Sequence, residues 1–161
     1  MEIISYQELN NIESKHWWFV ARRKIIEFFV KKNTSPNCKI LEIGAGTGGN
    51  LEMLSRYGKV SALEPNDFAT QKIKEKFSDA ILIKDQLPKL EKITQEKFDL
   101  IVMLDVLEHV QEDQKSLKRA EEILSKNGKI IITIPAYQFL FGAHDERLHH
   151  HRRYNKKQIL T

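Results

Sequence analysis

The 161-residue chain has a single cysteine, Cys38. That excludes a disulfide framework and any multi-cysteine zinc or iron–sulfur site, and it favours a reducing, cytoplasmic compartment. Seven glycines and four prolines rule out collagen-like and Pro-rich architectures. Long apolar stretches are absent too. Runs such as 17–21 and 130–134 fall far short of the ~20 residues a spanning helix needs. The first residues, Met1-Glu-Ile-Ile-Ser5, lack the basic stretch and apolar core of a secretory leader. No excess of one charge exists either: 26 basic and 22 acidic residues leave +4. That argues against a dedicated nucleic-acid binder, and no nucleic-acid partner is expected.

What remains is an ordinary globular balance, 41% hydrophobic and 30% charged, so the chain can bury a core. No internal repeat or flexible linker divides it. The sequence reads as one domain, 37–161, with a helical extension or lid at 1–36. In the extension, Ser5-Tyr-Gln-Glu8 fits a capping box that opens a first helix. A second helix covers about 17–32, with its apolar residues Ile25, Phe28 and Phe29 recurring at i, i+3 and i+4. Asn33-Thr-Ser-Pro36 ends it.

From residue 39 strands and helices alternate. Strands are expected at 39–43, 59–63, 80–83, 98–104 and 129–134. Helices are expected at 50–57, at 67–77 with Asp67 as cap, and from Asp113 to Leu124. Apolar strands separated by helices indicate an α/β, Rossmann-like doubly wound sheet with helices on both faces. Beyond Tyr137 an irregular loop is expected, then a last helix near Asn155.

The first strand runs into Glu42-Ile-Gly44-Ala-Gly46-Thr-Gly48-Gly49. Gly44, Gly46 and Gly49 match GxGxxG, the dinucleotide fingerprint, so a NAD(P)-dependent oxidoreductase is one reading. Glu42 weighs against it, because a carboxylate there would repel a pyrophosphate and suit a cationic ligand. Glu64, Asp85 and Asp105 end the next three strands, so four carboxylates line the edge where such folds bind ligands. Glu64 suits ribose hydroxyls. For Glu64 and Asp85 a simple loop-capping role stays open.

Glu42-x-Gly44-x-Gly46-x-Gly48, Glu64, Phe98-Asp-Leu-Ile-Val and Asp105-Val-Leu-Glu-His109 together resemble the class I S-adenosylmethionine-dependent methyltransferases. His16-Trp-Trp-Phe-x-Ala-Arg-Arg23 and His144-Asp-Glu-x-x-x-His-x-x-x-Arg-Tyr154 are similar to a ubiquinone-biosynthesis-like branch of that family. The resemblance implies strand order 3-2-1-4-5 and S-adenosyl-L-methionine as cofactor, with S-adenosyl-L-homocysteine as product. It implies methyl transfer to a small-molecule, lipid or sugar-linked acceptor. It places Glu42, Gly44, Ala45, Gly46 and Gly48 at the methionine portion, Glu64 at the ribose, and Asp85 and Gln86 at the adenine, with Pro65 also among the cofactor-binding residues. Asp105 and Val106 come near the methionine end. The family continues into strands 6 and 7, which this chain lacks. It is therefore expected to be a fragment, a shortened gene product, or a protomer whose open sheet edge a second copy covers.

Trp17, Trp18 and Phe19 stand beside Arg22 and Arg23. They are open to three readings: packing onto the sheet, a lid in which Trp18 and Arg22 reach the cofactor, or a membrane-surface helix. The last is not favoured, because the basic residues do not keep to one face. Four histidines crowd into 144–151 with Asp145 and Glu146. No spacing here is a known zinc pattern, so no metal is expected. His144 or His149 is the candidate general base. His109, Arg153 and Tyr154 are candidate substrate contacts, with structural roles open for each. A non-catalytic module that keeps the cofactor fold is the remaining alternative.

Overall fold

The computed structural model describes residues 3–160. The outer ends of both expected segments, residues 1–2 and 161, lie outside the described residues.

Five parallel strands form one sheet in the order β3-β2-β1-β4-β5. They are β1 (Cys38–Ile43), β2 (Gly58–Leu63), β3 (Ile81–Ile83), β4 (Phe98–Leu104) and β5 (Leu124–Thr133). β1 and β4 are buried on both faces, as their nearly unbroken apolar sequence requires. Alternate residues serve opposite cores. Leu41, Ile43, Ile101 and Met103 pack with Leu107 and Ala120 on one side. Ile40, Leu100 and Val102 pack on the other with Met53, Leu54 and two residues of the extension, Ile26 and Val30.

The helices are α1 (Ile3–Ile12), α2 (Trp17–Asn33), α3 (Leu51–Ser55), α4 (Asp67–Lys76), α5 (Asp113–Glu122), α6 (Ala143–Arg147) and α7 (Lys156–Leu160). Several expectations need correction. Ser5 lies inside α1 and opens nothing, because the helix is already formed at Ile3. The cap of α4 is Asn66, whose Oδ1 accepts from Ala69 N at 3.1 Å, not Asp67. The segment after Tyr137 is not irregular throughout: it holds a 3₁₀ turn (Gln138–Leu140) and α6.

α2 carries two apolar stripes. Its buried side is Ile26 and Val30, while Ile25, Phe28 and Phe29 face outward. Both stripes are apolar at helical spacing, so periodicity alone could not choose between them.

Candidate functional site

A cavity of about 1160 Å³ opens at the carboxyl ends of the strands. Gly44, Gly46, Glu64, Pro65, Gln86, Asp105 and Val106 line one side. Tyr6 and Leu9 of α1 and Trp18 and Arg22 of α2 wall another. His109, His144, Asp145, His150 and Arg153 close a third. Glu42, Ala45, Gly48, Asp85, His149 and Tyr154 are outside this lining.

The glycine loop needs its glycines for two reasons. Gly44 has φ +71°, and a Cβ there would stand 2.6 Å from Val106 Cγ2, so β1 and the loop after β4 could not approach. Positive φ falls on Gly44, Gly46 and Gly48. GxGxG is therefore the spacing that carries the positive φ, while Gly49 is held to glycine by space, since a Cβ there would collide with Oε2 of buried Glu13.

Glu42 is buried behind the loop. Its Oε1 accepts from Asn50 Nδ2 at 2.8 Å, and its Oε2 has no hydrogen-bond partner among the described residues. Burial, opposed by the Asn50 donor, pushes its pKa up to about 8. Near neutral pH this carboxyl therefore mostly holds its proton and presents to a ligand none of the charge expected from the sequence.

Glu64 follows β2 and is also buried. Its Oε1 accepts from Tyr6 Oη at 3.0 Å and from Asn66 N at 3.0 Å, and its Oε2 accepts from Gly46 N at 2.9 Å. Burial raises its pKa, and these donors work against the rise. The Tyr6 hydroxyl is itself pushed up, by burial first and by Glu64 next. Asp85 caps its own loop, accepting from Gln86 N at 2.7 Å and Lys92 N at 2.8 Å.

Asp105 has φ +57°, an uncommon conformation for a non-glycine residue. A three-way contact holds it. Arg22 lies 2.6 Å from its Oδ2, Thr133 Oγ1 donates to its Oδ1 at 2.9 Å, and Arg22 also donates to Thr133 at 2.8 Å. Arg23 instead clamps the glycine loop through the Gly49 carbonyl at 3.1 Å. Buried Glu13 assists, accepting from Thr47 Oγ1 at 2.9 Å and Lys76 Nζ at 2.7 Å.

The histidine-rich loop is organised by Asp145. This buried carboxylate is bonded by Arg153 at 2.9 and 2.8 Å, by Gly142 N at 3.0 Å and by His150 Nδ1 at 2.9 Å. Arg153 above all holds it well below the usual carboxylate range. His150 stacks edge-to-face on His109 with centroids 4.5 Å apart. Burial, then His150, lowers His109 to about 4, so it is neutral at pH 7. Beside them Glu108 is fully buried, neither carboxyl oxygen has a hydrogen-bond partner among the described residues, and burial pushes its pKa to about 8. Glu108, His109 and His150 each offer a ligand atom within 4.8 Å of the others, a set that could hold a divalent metal.

Arg153 is committed to Asp145, and Tyr154 Oη donates to Leu107 O and Asp113 Oδ2 at 3.2 and 3.0 Å. Both anchor the loop. His144 reaches the cavity, whereas His149 sits at φ +57° outside it. The sequence reading missed Tyr6, Glu13 and the Asp145–His150 pair. No local signal marks Tyr6, which meets Glu64 across 58 positions. The His–Asp pair carried a signal in its crowding, but not its partners.

A family model described as a methyltransferase domain matches residues 15–159. The chain is 26% identical over 149 residues to a ubiquinone biosynthesis O-methyltransferase of Pelagibacter ubique (strain HTCC1062), covering 83% of this chain and 60% of that protein. It is 29% identical over 106 residues to an uncharacterized methyltransferase of Geobacillus sp. (strain WCH70), covering 62% of this chain and 48% of that one. The chain thus spans about half to three-fifths of the length of these relatives. The N-methyltransferase NodS of Bradyrhizobium japonicum WM9, solved with S-adenosyl-L-homocysteine, superposes with a TM-score of 0.73 at 16% identity, over 96% of this chain and 82% of that one. At that identity the likeness is one of fold.

Proposed function

The chain belongs to the methyltransferase-domain family, and from that premise we propose that it transfers a methyl group from S-adenosyl-L-methionine to a small-molecule acceptor. The observation that carries this reading is the pairing, across one cavity, of a glycine loop locked to Glu64 with an Asp-oriented histidine. Family membership displaces the nicotinamide-dependent alternative. We also read a reducing compartment from the one buried thiol, Cys38.

The residues fit the cofactor. Glu64 is the acceptor for the ribose hydroxyls, and a bound ribose would take the place of the Tyr6 hydroxyl there. Gln86 and Pro65 face the adenine side. Gly44, Gly46 and Val106 leave room for the methionine portion, and Trp18 covers it. Arg22 is held by Asp105 and Thr133, so its role is to fix the loop after β4 rather than to pair freely with a ligand carboxylate. When bound, the cofactor supplies an electrophilic methyl on a positively charged sulfur. The chain contributes position and exclusion of water, an effect that can reach ~7–11 kcal/mol.

An acceptor that reacts through O–H or N–H must lose a proton. We assign its removal to His150. Asp145 accepts from Nδ1, which fixes the tautomer and leaves Nε2 free to accept. His149, outside the cavity, takes no part, and His144 is a substrate contact.

Thermal unfolding with S-adenosyl-L-methionine, S-adenosyl-L-homocysteine, NAD and NADP tests the cofactor. The first two should stabilise the protein by about 2.7 kcal/mol at ~100 times their dissociation constants. A shift with NAD or NADP alone, or with none of the four, sinks the reading. Once an acceptor is found by screening, His150→Ala should lose roughly 10²–10⁴ in kcat, while His149→Ala should keep it. Binding without transfer to any acceptor would leave a cofactor-binding module.

A further inference from the structure

Among the described residues, the outward stripe of α2 takes no part in the core, and of its side chains Trp18 alone lines the cavity. Trp17, Trp18, Ile25, Phe28 and Phe29 are 70, 53, 62, 54 and 49% exposed. At ~100° per residue they share with Ala21 and Lys32 one sector of about 120°, opposite Ile26 and Val30. The helix is 17 residues, or roughly 25 Å, long, so the stripe is an extended surface and not a single exposed side chain.

Charge selects its occupant. Lys24 and Lys31 border the sector and Lys32 lies within it, its Nζ 4.3 Å from the Phe28 ring centroid. The acidic residue of α2, Glu27, is turned away and bonded to Tyr57 and Arg56. A second copy laid face to face would set lysines against lysines with no acid to answer them. A layer of lipid phosphates answers all three, while the aromatic and aliphatic side chains enter the boundary between headgroups and acyl chains.

We propose that this face of α2 docks on the surface of an anionic phospholipid bilayer. The helix lies in the plane of the interface. No helix among the described residues is long and apolar enough to cross a membrane. Trp18 and Phe19 also line the cavity, so docking brings its α2 wall next to the lipid. The proposal does not depend on the methyl-transfer reading.

The chain's only two tryptophans are Trp17 and Trp18, which gives the face its own reporter. The full chain would be mixed with phosphatidylcholine vesicles, with and without phosphatidylglycerol. Co-sedimentation and a blue shift of tryptophan emission are expected with the anionic vesicles only, and both should fade at high salt. Ile25→Glu/Phe28→Glu and, separately, Lys24→Glu/Lys31→Glu should each weaken partitioning about tenfold or more. All four sites are exposed, and an unchanged melting temperature would show that the variants fold. No binding, equal binding to neutral vesicles, or undiminished binding by the variants would overturn the proposal. A concentration-dependent dimer dispersed by Ile25→Glu/Phe28→Glu would overturn it in favour of a second copy.

Discussion

Glu42 is the residue on which sequence and structure put different chemistry. Its place at the end of β1 suggested a charge, but burial pushes its pKa to about 8 from the usual 4.5. Between those values the native state holds a proton that the unfolded chain has lost. Stability contributed at this site is therefore greatest below pH ~4.5 and falls as pH rises towards ~8, by up to about 1.4 kcal/mol per pH unit. Glu108 acts in the same sense. His109, lowered from 6.5 to about 4, acts in the opposite one: its native state binds fewer protons, so stability rises with pH up to ~6.5. The clean window is thus pH 6.5 to 8. Urea unfolding across that window should show stability falling in the parent chain and falling less in Glu42→Gln. An unchanged slope in the variant would mean Glu42 is already charged in the native state.

α1 matters at the scale of the element, because one side chain ties it to the cofactor wall. The Tyr6 hydroxyl bonds the carboxylate that the proposed ribose needs. Tyr6→Phe should cost the ligand-free protein ~1.5–3 kcal/mol, the worth of a hydrogen bond to a charged group. The bound state has no such bond to lose, so S-adenosyl-L-homocysteine should shift the melting temperature of Tyr6→Phe more than that of the parent. An equal or smaller shift would mean that Tyr6 stays on Glu64 in the complex. Glu13 and Arg23 secure the other end of the same segment by gripping Thr47 and Gly49. The extension is thereby fastened to the glycine loop and not only to the sheet.

At the scale of the whole molecule, α2 shares its core with β1 and β4, so extension and sheet should unfold together. Tryptophan emission from α2 and far-ultraviolet circular dichroism should give coincident urea transitions. Val30→Ala, which opens space against Ile40 and Leu100, should move both midpoints equally, at a cost of ~1–3 kcal/mol. An earlier tryptophan transition would make the extension a separate unit. The succession of strands and helices, the glycine turn and the carboxylates at the strand ends were legible in the sequence because each rests on local chemistry, whereas the strand order came only with the family resemblance and two of those carboxylates, Glu42 and Asp85, stay out of the cavity lining. Apolar runs make buried strands, glycine permits positive φ, and a motif at a strand's end lands on the sheet's carboxyl edge. The choice of α2's buried face, the proton on Glu42, the Tyr6–Glu64 bond and the Asp145–His150 pair were not legible. Each depends on which distant groups meet and how much water they exclude, and only the packed tertiary structure decides that.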